Sequence, residues 1–217
     1  MLRYGSARPL LLGRGTMLPR LAARALATAP QVATEEECAA YYDTASHYDV
    51  LWGKDNIHIG YYPHLVDRTA VELSFQQAAG LIVNRMVALG DISHTSRVLD
   101  LGCGKGHACE LIAKLTGAAC TGLDLSPGNI ERATALAASR PELSLDFVEG
   151  SFTSLPEQLR QGQFTHVISQ EAFSHAHAEI HTIFDELKTT LSDEGLAIIN
   201  DYLGNDVPVS EVSAAPC

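Results

Sequence analysis

Apolar residues beyond position 96 form short continuous runs that alternate with segments of helical spacing. The continuous runs predict five buried strands, at residues 97–101, 119–123, 143–148, 165–169 and 196–200. The helical segments lie between them, at residues 106–116, 126–139 and 178–191. Strands that alternate with helices at this pitch predict a parallel sheet with helices on both faces, which is a Rossmann-like α/β fold.

A longer amphipathic helix is predicted before the sheet. Its apolar stripe recurs at spacings of three and four and ends at Gly90, with the members Val71, Phe75, Ala78, Ile82, Met86 and Leu89. We therefore divide the chain into a leader (1–34), a helical cap that would act as a substrate lid (35–92), a Rossmann-like ligand-binding domain (93–204) and an irregular tail (205–217).

The distribution of charged residues along the chain limits the kinds of molecule that the protein can bind. Five of the 15 basic residues precede Glu35, the first acid, and the rest of the chain holds 10 basic residues against 26 acids. An acidic body repels phosphate backbones, which excludes nucleic acid as the main partner. No apolar run approaches the length of about 18 residues that a membrane-spanning helix needs, so no membrane span is expected.

The acid-free leader has arginines spaced among Leu, Ala, Ser and Thr, as organelle transit peptides do. This composition predicts import into a mitochondrion or a plastid, and it does not separate the two. The alternative is a disordered leader with translation starting at Met17, which would leave the protein in the cytoplasm.

A glycine-rich turn follows the first predicted strand and carries the clearest chemistry. Its pattern is Asp100-x-Gly102-x-Gly104-x-Gly106, which lets the backbone approach a ligand closely. Neither the GxGxxG spacing of dinucleotide loops nor the GxxxxGK[ST] spacing of phosphate loops is present. The carboxylate of Asp100 would repel phosphate but suits an ammonium group, and an NAD-dependent dehydrogenase stays open as the disfavoured alternative.

A second carboxylate stands at the end of the second predicted strand. Asp124 lies 20 residues after Gly104, and an acid in this place can accept hydrogen bonds from both hydroxyls of a ribose. Ser126 is the predicted N-cap of the following helix, which weakens a purely capping role for Asp124. Asp100 and Asp124 together indicate a cationic amino acid joined to a ribose.

These two segments, VLDLGCGKG at 98–106 and TGLDLS at 121–126, resemble the first two motifs of class I S-adenosylmethionine-dependent methyltransferases. The resemblance covers about residues 41–202. It implies S-adenosyl-L-methionine as cofactor, with the methionine end at Asp100 and the glycines and the ribose at Asp124. It further implies cofactor contacts at Leu125, Ser151, Phe152 and Gln170, although Ser151 stands where the family most often has an adenine-binding Asp.

Two further stretches resemble small-molecule methyltransferases, closest to the sarcosine/dimethylglycine N-methyltransferases, with phosphoethanolamine and tocopherol methyltransferases as relatives. They are SQEAFSH at 169–175, with Glu171 in place of the family's Asp, and the Tyr- and His-rich segment 41–62. The resemblance implies His175 as base or gate, with Tyr41 or Tyr42 as its partner. The implied acceptor contacts are Trp52, His58, Tyr61, Glu171 and Phe173, and His58 is a second candidate base.

The leading hypothesis is therefore methyl transfer to the amine of sarcosine or dimethylglycine, which makes glycine betaine. Competing acceptors are phosphoethanolamine, a tocopherol-type phenol and a thioether, and a cofactor-binding form without activity is the non-enzyme alternative. His175, His177 and His181 lack the HExxH arrangement, so we expect no metal. The five cysteines form no CxxC pair and are interpreted as reduced thiols, with Cys103 filling a tight turn.

The chain looks short for this family, whose sheet ends in a hairpin of two more strands. Only about 15 residues follow the fifth predicted strand, so the sheet is expected to lack those strands and to expose an edge. We interpret this as a splice form or an incomplete sequence. It predicts weak or absent catalysis, and a dimer or a partner protein that covers the edge.

Overall fold

The computed structural model describes residues 34–44, 58–63 and 73–201. Trp52, Val71, the leader up to residue 33 and residues 202–217 lie outside these ranges, and so does the side chain of His177. Among the described helices, none is both long and apolar enough to cross a membrane.

Five strands and five α-helices make up the described fold. The strands are β1 (Arg97–Leu101), β2 (Ala119–Asp124), β3 (Leu145–Glu149), β4 (Phe164–Gln170) and β5 (Leu191–Asn200). The helices are α1 (Glu35–Thr44), α2 (Phe75–Gly90), α3 (His107–Thr116), α4 (Pro127–Ala138) and α5 (Ile180–Thr190). Two short 3₁₀ segments, Glu157–Leu159 and Phe173–Glu179, flank β4.

The strands form one parallel sheet in the order β3-β2-β1-β4-β5. The chain winds outward from β1 to β3 on one side and then returns to β4 on the other side. Ligands of such sheets bind beyond the carboxyl ends of the strands, at the point between β1 and β4 where the winding reverses. This arrangement confirms the Rossmann-like α/β fold.

Helices cover both faces of the sheet, as the sequence predicts. On one face, Val98 packs with Met86 of α2 and with Cys109 and Ile112 of α3. On the opposite face, the core holds leucines of β1, Val167 of β4 and two residues of α5, with the members Leu99, Leu101, Val167, Ile183 and Leu187. Successive residues of β1 enter both cores, because side chains alternate between the faces of a strand.

Helix α2 begins at Phe75, after a capping box between Ser74 and Gln77, and it ends at Gly90, where the apolar stripe predicts its end. The predicted stripe is buried at Ala78, Ile82 and Met86. Its outer members differ from the prediction: Phe75 is 54% exposed and Leu89 65% exposed. The buried face runs instead through Ala79, Val83 and Gly90, and Gly90 O lies 2.8 Å from His166 Nε2 of β4, so the C-terminal end of α2 packs on the sheet while Leu89 points away from it.

Two boundaries near the C-terminal side of the sheet also differ from the predictions. The helix expected from residue 178 begins at Ile180, because a 3₁₀ segment with a kink at Ala176 precedes it. Strand β5 begins at Leu191, which pairs with Phe164 before an irregularity in the register. Among the described strands β5 lies at one edge, where Leu196 and Ile199 are partly exposed; a covering partner stays a prediction.

Candidate functional site

A cavity opens beyond the carboxyl ends of β1, β2 and β4. It encloses about 880 Å³ of space, part of which is open to solvent. The glycine-rich turn forms its floor, and the turn after β2 and the segment after β4 form its sides. Cys38, Ala39 and Tyr42 of α1 and His58 line it from the N-terminal part of the chain.

The floor is a turn that only glycines accommodate easily. Gly102, Gly104 and Gly106 have φ angles of 78°, 54° and 83°, in the left-handed region that side chains with a Cβ disfavour. The N–H groups of Gly102 and Cys103 donate to Leu123 O of β2 at 2.8 and 2.9 Å. The turn is thus fixed against the neighbouring strand, and burial raises the pKa of the Cys103 thiol well above its ordinary value. A nucleophilic role for Cys103 is therefore disfavoured.

Asp100 lies under the turn with only 2% of its surface exposed. Its described hydrogen-bond partner is the thiol of Cys109, whose Sγ is 3.7 Å from Asp100 Oδ2. Burial raises the pKa of Asp100 from 3.8 to about 7, and the charge of Asp124 adds to the rise. A cation placed here would favour the carboxylate form, which fits the ammonium group of an amino acid.

Asp124 ends β2 and is oriented by three hydrogen bonds. Its Oδ2 accepts from Gly104 N at 2.8 Å, and its Oδ1 accepts from Ser126 N at 2.9 Å and from Asn129 Nδ2 at 3.2 Å. Burial nevertheless raises its pKa. A carboxylate has about four lone-pair sites, so Asp124 keeps capacity for a ribose hydroxyl.

Gln170 ends β4 on the far side of the turn. Its side-chain Oε1 is buried in the cavity lining and has no hydrogen-bond partner among the described residues. A buried amide oxygen without a donor is unfavourable, and a ligand N–H or O–H group would satisfy it. Together with the two carboxylates, this oxygen fits the amino acid and ribose groups of S-adenosylmethionine.

Helix α1 and the segment after β4 meet over the cavity. Tyr42 Oη lies 2.9 Å from His175 Nε2, and the two rings contact edge to face at 5.6 Å. Burial lowers the pKa of His175, while the charge of Asp201 acts in the opposite direction. Tyr41 contacts the ring of Tyr42 at 5.3 Å but does not line the cavity. The structure therefore brings Tyr42, rather than Tyr41, to His175.

Glu171 lines the cavity and hydrogen-bonds to the segment 58–63. Ile59 N donates to both carboxylate oxygens of Glu171, at 3.0 and 3.2 Å. Glu171 has a left-handed φ of 53°, which is unfavourable for a residue with a side chain and turns the chain sharply after β4. The adjacent His58 lines the cavity, and burial lowers its pKa.

Several predicted site residues lie elsewhere in the structure. Phe173 is 4% exposed and packs on Phe152 at 5.3 Å between ring centres, so it supports the cavity wall from the core. Tyr61 lies beneath the guanidinium of Arg85 and outside the cavity lining. Gly106 is the N-cap of α3, and Ser151 hydrogen-bonds to Glu35. Leu125 and Phe152 do line the cavity.

Sequence reasoning identified Tyr42 of α1 but missed Cys38, Ala39 and Asn129 as residues of the site. Cys38 and Ala39 enter the cavity lining from α1, and Asn129 orients Asp124. The spacing of positions 38, 39 and 42 is the signal that could have identified a helix face. In the part of the chain that the structure describes, no group of three His, Cys, Asp or Glu side chains is placed to hold a metal ion.

Residues 99–199 match a family model described as a methyltransferase domain. The chain is 30% identical over 190 residues to glycine/sarcosine/dimethylglycine N-methyltransferase of Actinopolyspora halophila, covering 80% of this chain and 32% of that protein. It is 29% identical over 206 residues to 2-methyl-6-phytyl-1,4-hydroquinone methyltransferase of Synechocystis, covering 91% of this chain and 62% of that protein. It therefore spans about a third to two thirds of these relatives.

Among solved structures, the [4+2]-cyclase SpnF superposes with a TM-score of 0.68 at 22% identity, covering 77% of this chain and 60% of that chain. This likeness supports the fold. The matched domain includes Asp100, the glycine-rich turn and Asp124, and S-adenosylmethionine is the cofactor of this class. The chain therefore carries a class I S-adenosylmethionine-dependent methyltransferase domain.

Proposed function

We propose that this chain transfers a methyl group from S-adenosylmethionine to a small molecule, and that the acceptor is the amine of sarcosine or dimethylglycine. The observation that carries the proposal is the Tyr42–His175 pair over the cavity. When bound, S-adenosylmethionine supplies a methyl group that its sulfonium activates. Asp100, Asp124 and Gln170 would hold the cofactor, and the wall formed by Tyr42, His58, Glu171 and His175 would face the acceptor.

The acceptor wall has the chemistry that an amine requires. An amine that is protonated in water lacks the lone pair needed for attack, so a base must remove one proton. His175 and His58 are both held below their ordinary pKa of 6.5 by burial, so each is neutral at physiological pH. The amine proton would pass to a histidine nitrogen, and Tyr42 fixes the orientation of the His175 ring.

The similarity to glycine/sarcosine/dimethylglycine N-methyltransferase supports this choice of acceptor. The similarity to 2-methyl-6-phytyl-1,4-hydroquinone methyltransferase makes a phenol the main competing acceptor. A phenol also needs a base, so a histidine pair serves both reactions. The carboxylate of Glu171 at the wall favours an acceptor that carries an ammonium group over a neutral phenol. Phosphoethanolamine and thioethers stay as further acceptors to test.

Incubation with methyl-labelled S-adenosylmethionine and a panel of acceptors tests the proposal. Label in dimethylglycine from sarcosine, or in betaine from dimethylglycine, is the expected result. Label only in a phenol or a thioether would contradict the choice of an amine. Cofactor binding without transfer to any acceptor would instead support the binding-only alternative.

A further inference from the structure

Helix α1 brings a carboxylate to the end of β3. Glu35, the first residue of α1, accepts hydrogen bonds through Oε1 from the hydroxyls of Ser151 and Thr153, the latter at 2.8 Å. Ser151 and Thr153 follow β3 directly, and they also contact each other at 2.7 Å. Two hydroxyls from one short turn therefore orient the carboxylate of a residue more than 100 positions earlier in the chain.

The face of α1 that carries Glu35 is the face that covers the cavity. Glu35 stands one turn before Cys38 and Ala39, and Tyr42 follows a further turn on; all but Glu35 line the cavity. Residues three and four apart share one side of a helix. Tyr42 reaches His175 after β4, whereas Glu35 reaches the turn after β3. Helix α1 thus crosses the cavity from the β3 side to the β4 side.

The adenine of the cofactor is expected on the β3 side. Asp100 at β1 suits the amino acid end and Asp124 at β2 suits the ribose, so the next group outward lies toward β3, the strand beyond β2. Phe152 lines the cavity there and is backed by Phe173, which provides an aromatic surface for a base. Glu35 is held at this turn by the hydroxyls of Ser151 and Thr153, the residues before and after Phe152 in the chain.

We infer that Glu35 is a cofactor-binding residue that accepts a hydrogen bond from the exocyclic amine of adenine. Its carboxylate, delivered by α1, takes the place of an acid at position 151, where this chain has a serine. Ser151 and Thr153 act as positioning residues for Glu35. The inference rests on the assignment of S-adenosylmethionine as cofactor and not on the identity of the methyl acceptor.

The test compares two ligands that differ only at the base edge. S-adenosylhomocysteine carries the adenine amine, and S-inosylhomocysteine carries a carbonyl oxygen in its place. Calorimetry on the full chain should show that the wild type binds the adenine form at least about tenfold more tightly, since hydrogen bonds to charged groups are among the stronger ones. Glu35→Ala should lose this preference mainly by weaker binding of the adenine form.

Glu36→Ala is the matched control, because it removes the same charge from the neighbouring exposed position of α1. It should keep the wild-type preference. A Glu35→Ala variant that weakens both ligands by the same factor would show that Glu35 only docks α1, and would overturn the inference. An absence of preference in the wild type would overturn it as well. If the wild type binds neither ligand, the cofactor assignment itself fails, which is a distinguishable result.

Discussion

Asp100 is a buried acid whose pKa is raised by its surroundings in the site. It is buried beneath the glycine-rich turn and close enough to Asp124 for the two charges to repel. The folded protein therefore holds two acids whose ionisation is unfavourable until a cation arrives. The two buried acids therefore lower the stability of the unliganded fold, and the same two acids favour binding of a positively charged ligand.

The substitution Asp100→Asn should separate stability from binding. Because the pKa of Asp100 is about 7 in the folded state and 3.8 ordinarily, the unfolded state ionises first as pH rises. Burial of this group thus destabilises the fold progressively between these two values, by roughly 4 kcal/mol when complete. Without cofactor, the variant should be more stable than the wild type at about pH 8 in urea unfolding, and the difference should disappear as the pH falls below 3.8.

The same variant should bind S-adenosylmethionine much more weakly, because the amide cannot pair with an ammonium group. Glu149→Gln, an exposed acid at the end of β3, is the control that removes one charge outside the cavity lining. Parallel pH dependence of stability in wild type and Asp100→Asn would contradict the account of this residue.

His175 sets the expected pH profile of catalysis. Its pKa lies below 6.5 because of burial, so the neutral base predominates at neutral pH. The value of kcat/KM should fall on acidification with a midpoint below 6.5, and His175→Asn should lower kcat by about 100-fold or more.

Tyr42→Phe, which keeps the ring but loses the hydroxyl, should give a smaller loss than His175→Asn. The effect of His58→Asn on kcat measures the contribution of the second candidate base independently. Retention of wild-type kcat by His175→Asn, with loss in His58→Asn, would transfer the role of base to His58.

At the scale of elements, α1 is held by polar contacts with three loops. Besides Glu35 and Tyr42, it uses Asp43, whose Oδ1 accepts from the hydroxyl of Ser126 and from Gly128 N at 3.0 Å. Ser126 is also the N-cap of α4, since its Oγ accepts from Asn129 N. One short turn therefore anchors α1, starts α4 and carries Asp124.

Removal of this anchor by Asp43→Ala should reduce stability by about 1 kcal/mol, because two hydrogen bonds from an exposed position are lost. It should also weaken cofactor binding several-fold, since α1 covers the cavity. Asp185→Ala removes an exposed acid of α5 that pairs with Lys188 on the surface, away from the cavity lining, and should change neither quantity. Equal cofactor affinity in wild type and Asp43→Ala would show that α1 does not need this anchor.

The elements that the sequence predicted well are those with strong local signals. The strands around Asp100 and Asp124 and the N-cap Ser126 follow from apolar runs and turn residues. The helical cap over 35–92 was predicted, but the bounds of α1 within it were not, because its sequence has little apolar periodicity and its position depends on contacts with residues distant in the chain, namely Ser151, Ser126 and His175. The 3₁₀ segment before α5 depends on the sharp turn at Glu171, which local sequence does not specify.

At the scale of the whole molecule, the parallel sheet explains why the predicted carboxylates converge. Carboxyl ends of parallel strands meet at one edge, so Asp100, Asp124 and Gln170 could be assigned to one site from sequence order alone. The placement of Phe173 in the core could not be predicted from sequence order, because the direction of its side chain depends on the kinked 3₁₀ segment after β4. The chain covers 32% of glycine/sarcosine/dimethylglycine N-methyltransferase of Actinopolyspora halophila, so the identity of the methyl acceptor must be established by assays with candidate acceptors.

The most direct test of the account is calorimetric titration of the purified chain with S-adenosylmethionine, with Asp124→Ala and NADH for comparison. We predict saturable binding of one molecule of S-adenosylmethionine per chain, at least about tenfold weaker in the Asp124→Ala variant, and no binding of NADH. Tight binding of NADH without binding of S-adenosylmethionine would contradict the account.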